Sequence, residues 1–204
     1  MKPLYRSLLV AAAAGAFMLS PAANAHEKGD WLLRVGVGHV DPKSSNGDIA
    51  SVDSGTALVF NGTYFFTPNV GFEILAATPF SHDIELAADG TKVGEVKHLP
   101  PTFSLQYHFD TAGAFNPYVG AGLNYTLFFD EDTEGPLAGT SLKLDDSIGL
   151  AAQLGTDIEV SETISLNFDV RWIDINTDAE LDGAALEEVE IDPVVYSLTA
   201  VWEF

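Results

Sequence analysis

The sequence contains no cysteine. That excludes a disulfide framework, a thiolate metal site and a cysteine nucleophile. Cations are scarce as well: nine Lys and Arg stand against thirty Asp and Glu. Nucleic acid is therefore excluded as a partner, because neutralising phosphates requires clustered positive charge. After residue 25 there is no apolar run long enough for a transmembrane helix, which needs roughly 18 residues or more. Helical periodicity hardly features anywhere in the chain.

The first 25 residues read as an export signal. Lys2 and Arg6 form a basic start, LLVAAAAGAFML an apolar core, and Ala23-Asn24-Ala25 a small-residue cleavage site, with cleavage expected before His26. Residues 26–204 then form a single domain whose seven basic and thirty acidic residues give a net charge of −23. An exported chain rich in aromatics and glycine, without an apolar helix, is either a soluble periplasmic β-protein or an outer-membrane barrel.

Alternation with period two recurs along the chain, as half-buried strands require. In TISLNFDVRWI (163–173), Ile164, Leu166, Phe168, Val170 and Trp172 oppose Ser165, Asn167, Asp169 and Arg171. Similar runs cover about 30–40, 54–67, 70–80, 98–109, 116–129, 146–160 and 194–204, eight in all. Short links alternate with long ones at about 41–53, 81–97, 130–145 and 177–190, the layout of an outer-membrane barrel. Two aromatic groups decide which face meets lipid. Trp31, Phe66, Phe72, Tyr107, Phe109, Trp202 and Phe204 fall near the short-link ends, and Phe60, Phe103, Tyr125 and Trp172 near the long-link ends. Membrane interfaces select such belts, whereas a soluble lipocalin-like barrel has little use for them. The expectation is all-β: an eight-stranded antiparallel up-and-down transmembrane barrel of the bacterial outer membrane.

VGFEILAATPFSHDI (70–84), HLPPTFSLQYHF (98–109), NPYVGAGLNYTLFFD (116–130) and RWIDINTDA (171–179) resemble the outer membrane protein W (OmpW) family. The resemblance implies a narrow, largely hydrophobic interior that admits small apolar molecules across the outer membrane of a Gram-negative bacterium. It also implies lateral exit through the barrel wall.

An eight-stranded barrel has room for side chains or one small ligand rather than a wide pore. By parity, Arg34, Glu73, Gln106, Asp157, Asn167, Asp169 and Arg171 face the lumen, and buried charges must be paired, so an ion-pair plug is expected. Above it the inward positions turn apolar or small: Val40, Leu75, Ala77, Gly120, Gly122 and Ala151, with Leu75 nominated as the floor. Arg171 departs from the apolar lining that the resemblance implies. Pro79 closes one strand and Pro100 and Pro101 open the next, so the ladder between them should lose hydrogen bonds. Unpaired backbone is tolerated at membrane depth only where it lines a cavity, which suggests a side opening there.

No catalytic residues, cofactor or metal site are legible. Ser81-His82-Asp83 cannot act as a triad, since neighbours on a strand point to opposite faces. His39, His98 and His108 show no ligand spacing. The span from Asp174 to Asp192 holds eight carboxylates and no Lys or Arg. The expected partners are outer-membrane lipid, lipopolysaccharide and small hydrophobic solutes; a monomer suffices for a channel. The alternative is a non-transporting structural or receptor barrel that presents acidic extracellular loops.

Overall fold

The structure, a computed structural model, describes residues 26–44, 46–111, 113–161 and 164–204. The expected signal peptide, 1–25, lies outside the described residues. Eight strands pair in a ring: β1 (Trp31–Asp41), β3 (Gly55–Thr67), β4 (Val70–Ala77), β7 (Thr102–His108), β8 (Phe115–Thr133), β10 (Ser147–Glu159), β11 (Ser165–Ile173) and β14 (Val194–Glu203). Every contact in the ring is antiparallel, and β14 returns to β1 from Leu32↔Glu203 to Asp41↔Val194, so no edge is left open. Closure is what a sheet needs in hydrocarbon, where a free edge would strand backbone donors and acceptors.

The alternation sorts the two faces. Leu58, Ile74, Leu105, Leu123, Ile148, Leu150, Leu154, Leu166 and Leu198 are exposed on the outside. Trp31, Phe66, Tyr107, Phe109, Phe115 and Phe204 are exposed around the short-link end. Inside, polar residues are buried: Arg34, Glu73, Gln106, Asp157, Asn167, Asp169 and Arg171 are all nearly inaccessible. This inversion of the soluble pattern suits a barrel whose solvent is lipid.

The long links are not loose loops. They contain β2 (Ala50–Val52), β5 (Phe80–Leu86), β6 (Lys92–Leu99), a short 3-10 turn (Gly135–Leu137), β9 (Leu142–Leu144), β12 (Asn176–Leu181) and β13 (Ala184–Glu190). β6 pairs with the outer part of β8, β5 with β6 and β2 with β5, while β9, β12 and β13 form a second small sheet. These extensions enclose an apolar core of Val52, Ile84, Val93, Val96, Phe128, Leu144, Ile175, Ala179, Val189 and Ile191. That core is continuous with Val40, Val59, Leu75, Ala151, Ile173 and Val195 inside the barrel.

Some of the acidic residues hold this outer part in place. The Glu187 carboxylate accepts backbone N–H bonds from Asp48 (2.9 Å), Ile49 (3.1 Å) and Ala50 (3.2 Å). Lys92 pairs with Asp83 at 2.9 Å and Glu134 at 3.1 Å, and Lys43 pairs with Glu190 and Asp192. Acidity is on the outside and apolar packing on the inside.

Candidate functional site

The lower lumen is filled by one connected polar network. Arg34 donates from Nε and Nη2 to the two carboxylate oxygens of Asp157, at 3.1 and 2.6 Å, a bidentate arrangement. Its Nη1 donates to Thr63 Oγ1 at 2.9 Å and lies 3.7 Å from Glu73. Arg171 Nη2 donates to the other oxygen of Glu73 at 2.6 Å, and its Nε lies 3.5 Å from Asp169. Glu73 therefore links Arg34, which reaches it from two strands away round the ring, to Arg171, which reaches it from directly across the lumen. Asn61 (3.1 Å) and Gln106 (2.8 Å) donate to Oε2, the oxygen that faces Arg34. Asn167 donates to Asp157 at 2.9 Å. All seven residues singled out by parity thus belong to one layer.

Parity alone did not single out Tyr118, Thr63, Asn61 or His108. The Tyr118 hydroxyl donates to Asp169 and accepts from Asn167, both at 3.0 Å, while its ring lies beneath the Arg34 guanidinium, 5.1 Å from the centroid. His108 stacks on Tyr118 at 4.8 Å and bonds Gln106 at 3.0 Å. Tyr118 shares the parity of Gly120 and Gly122, so alternation could have found it. Its ring needs Gly155 opposite, because a Cβ there would overlap the phenol.

Above this layer the lumen is apolar. Val40, Leu75 and Ala151 are buried in the apolar cluster, with Ala77 packed against it, and Leu75 is one inward step beyond Glu73 on β4. Gly120 and Gly122 do not belong to this apolar lining. Gly120 pairs with Gln106 and Gln153, and the Gln153 side chain occupies the space beside it, 2.6 Å from where a Cβ would stand. Gly122 lies against the backbone of Phe103 and Ser104, so its lack of a side chain serves close strand approach. Farther out, Ile49, Ile84, Val93, Leu142, Leu144, Leu186 and Val189 line a small cavity of about 60 Å³ in the outer core.

The wall changes at the prolines. The β4–β7 ladder ends at Leu75↔Thr102, and the β5–β6 ladder begins at Phe80↔His98. No ladder pair joins 76–79 to 99–101. Each rim is instead tied to its other neighbour. Thr78 N donates to Leu58 O at 2.9 Å, and Leu58 N to Thr78 Oγ1 at 3.1 Å, which holds one rim on β3. Tyr125 N donates to Pro101 O at 3.0 Å, which holds the other on β8.

The freed carbonyls are covered from inside. Pro100 O accepts from Thr102 Oγ1 (3.0 Å) and Asn124 Nδ2 (3.1 Å), and Asn124 also reaches Pro101 O at 3.3 Å. Pro79, Pro100 and Pro101 have no N–H, so the break strands no donor of theirs. The carbonyls on the β7 side of the seam are thus satisfied from within the barrel.

A ring stack sits beside the seam, beyond the membrane-spanning strands. Phe80 stacks on His98 (5.3 Å) and His98 on His82 (4.8 Å, 10° between planes), with Phe128 at 5.9 Å from His98. His82 Nδ1 lies 2.5 Å from the Asp53 carbonyl. Burial pushes both imidazoles below their ordinary range, His98 to about 3, and His82 adds to the depression of His98. A folded-state pKa below the unfolded value of about 6.5 stabilises the folded form above that pH, and the stabilisation is lost as pH falls towards 3. Hydrogen-exchange protection of β5 and β6, corrected for intrinsic rates, is therefore expected to fall by up to about tenfold per pH unit below 6.5 for each imidazole. His98→Phe, which keeps the stack, should shrink that dependence.

The sequence model of the OmpW family matches residues 27–204, the whole of the barrel just described. The chain belongs to the OmpW family. Outer membrane protein W of Vibrio cholerae is 44% identical over 198 residues, covering 88% of this chain and 91% of that one. The crystal structure of the Pseudomonas aeruginosa outer membrane protein OprG superposes with a TM-score of 0.80 at 37% identity, covering 89% and 98% of the two chains. AlkL of Ectopseudomonas oleovorans is 31% identical over 97% of this chain and 92% of its own, and the AlkL structure in DMPC bilayers gives a TM-score of 0.66. As an OmpW-family barrel, the protein resides in the outer membrane of a Gram-negative bacterium and is not an enzyme.

Proposed function

We propose that this OmpW-family barrel is a passive route for small hydrophobic molecules from outside the cell into the outer-membrane bilayer. The observation that carries the proposal is the position of the seam. It opens one inward step above Leu75, and the charged layer of Arg171 and Glu73 begins one step below. An apolar solute that enters the outer core meets Val40, Leu75, Ala77 and Ala151. It cannot continue downward without displacing paired charges in a site with little water, which is costly. The side exit avoids that cost and leads into hydrocarbon.

In this reading Leu75 is the floor, Pro79, Pro100 and Pro101 mark the exit, and the seven-residue polar layer is the plug. Asn124 and Thr102 keep the exit's carbonyls satisfied whether or not a solute is there. The extracellular acidic surface faces lipopolysaccharide.

The test is uptake of an apolar fluorescent probe by cells with and without the protein. A rate well above the background of cells lacking it is expected, and equal rates would sink the proposal. A receptor barrel would instead lose partner binding when the acidic outer strands are cut back, with probe flux unchanged.

A further inference from the structure

At the opposite, short-link end, three ligating side chains that no sequence spacing displays come together. His26 Nδ1 lies 2.9 Å from Glu203 Oε1, across 177 positions of sequence. One imidazole nitrogen of His26 and carboxylate oxygens of Asp30 and Glu203 all lie within 4.8 Å of one another. The ring is held in place: it stacks on Phe65 at 4.1 Å and meets His108 edge-on at 5.1 Å, and it is only 5% exposed. Its Nε2 has no hydrogen-bond partner. The imidazole is therefore fixed by packing, with Nδ1 directed at the carboxylates.

Cleavage at Ala23-Asn24-Ala25 would add a fourth ligand. It converts the peptide nitrogen of His26 into a free α-amine. In an N-terminal histidine the amine and Nδ1 are linked through Cα, Cβ and Cγ, so a metal bound to both closes a six-membered chelate. We propose that the mature chain binds a first-row divalent cation, Cu²⁺ most tightly, through the α-amine and Nδ1 of His26 with the carboxylates of Glu203 and Asp30. Two nitrogens and two oxygens suit a tetragonal site, and among divalent ions such a donor set favours Cu²⁺ over Ni²⁺ and Zn²⁺. The bound ion joins the beginning of the chain to the last strand, beside the β1–β14 closure.

The test uses protein purified from outer membranes, with its N-terminus read by mass spectrometry. Cu²⁺ in detergent solution is the probe, followed by calorimetry and by quenching of tryptophan fluorescence, since Trp31 and Trp202 flank the site in sequence. Chains beginning at His26 are expected to bind one ion. Refolded chains acetylated on the α-amine of His26 keep the imidazole and both carboxylates but lose the amine as a donor, and should bind at least tenfold more weakly. Glu203→Gln, checked for folding by circular dichroism, should also bind more weakly. Cu²⁺ should raise the unfolding midpoint of the native chain and not that of the acetylated one, because only a ligand of the folded state stabilises it. Cleavage elsewhere, no binding, or equal affinity in the native and acetylated chains would each overturn the proposal.

Discussion

Replacing Pro100 with Val and Pro101 with Thr should close the wall and abolish uptake of apolar probes, a loss of tenfold or more, while making the barrel harder to unfold. The two positions act differently. Pro101 O accepts from Tyr125 N, so position 101 turns its backbone groups towards β8. Backbone direction alternates along a strand, so position 100 turns towards β4 and the seam. The change at 100 supplies the donor that the broken ladder lacks, and the change at 101 adds one on the side already paired. Pro100→Val alone should therefore reduce flux, and Pro101→Thr alone should leave most of it. Each regained hydrogen bond contributes about 0.5–1.5 kcal/mol, readable as a higher urea midpoint in micelles. Loss of flux together with a gain in stability cannot come from misfolding. Unchanged flux in a folded, more stable Pro100→Val chain would reject the side exit.

The second large effect is expected at Glu73. Its carboxylate lies between Arg171 and Arg34, and both are buried. Glu73→Gln keeps the shape and removes the charge, which leaves Arg171 with only Asp169 nearby and Arg34 with Asp157. Breaking a buried pair on one side costs about 3–5 kcal/mol, since the remaining charge stays desolvated. Urea unfolding of the refolded barrel should show that loss. Replacing Glu73 and Arg171 together with Met should recover much of it, because an apolar pair of similar size carries no desolvation cost. A Glu73→Gln chain as stable as the native one would show that the layer is filler.

Much of this was legible in alternation alone. A closed barrel places every second residue inside, so Arg34, Glu73 and Arg171 share an interior once eight strands are counted. Parity does not supply the shear between strands. For that reason parity places Gly120 and Gly122 in the apolar chamber, whereas Gln153 and Ser104 stand beside them. The outer strands were hidden by composition. In FSHDIEL (80–86) the buried residues are Phe80, His82 and Ile84, a clear alternation once histidine counts as an inward ring. In AALEEVE (184–190) only Val189 is buried, and the acidic surface masks the strand. The cover that Asn124 gives Pro100 and Pro101 crosses from one strand to another, and no local pattern could announce it.

The pairing of β1 with β14 has a consequence for how the chain comes together. Residues 32 and 203 are neighbours in the sheet, so closure brings together nearly the two ends of the barrel domain. Every other strand can join its neighbour as a hairpin or across one outer excursion; this last contact carries the greatest entropy of loop closure. Until β14 arrives, two unpaired edges face any other chain. Assembly is therefore gated by delivery of the C-terminal strand, and a chain shortened by a few residues at Trp202-Glu203-Phe204 would stall as an open sheet.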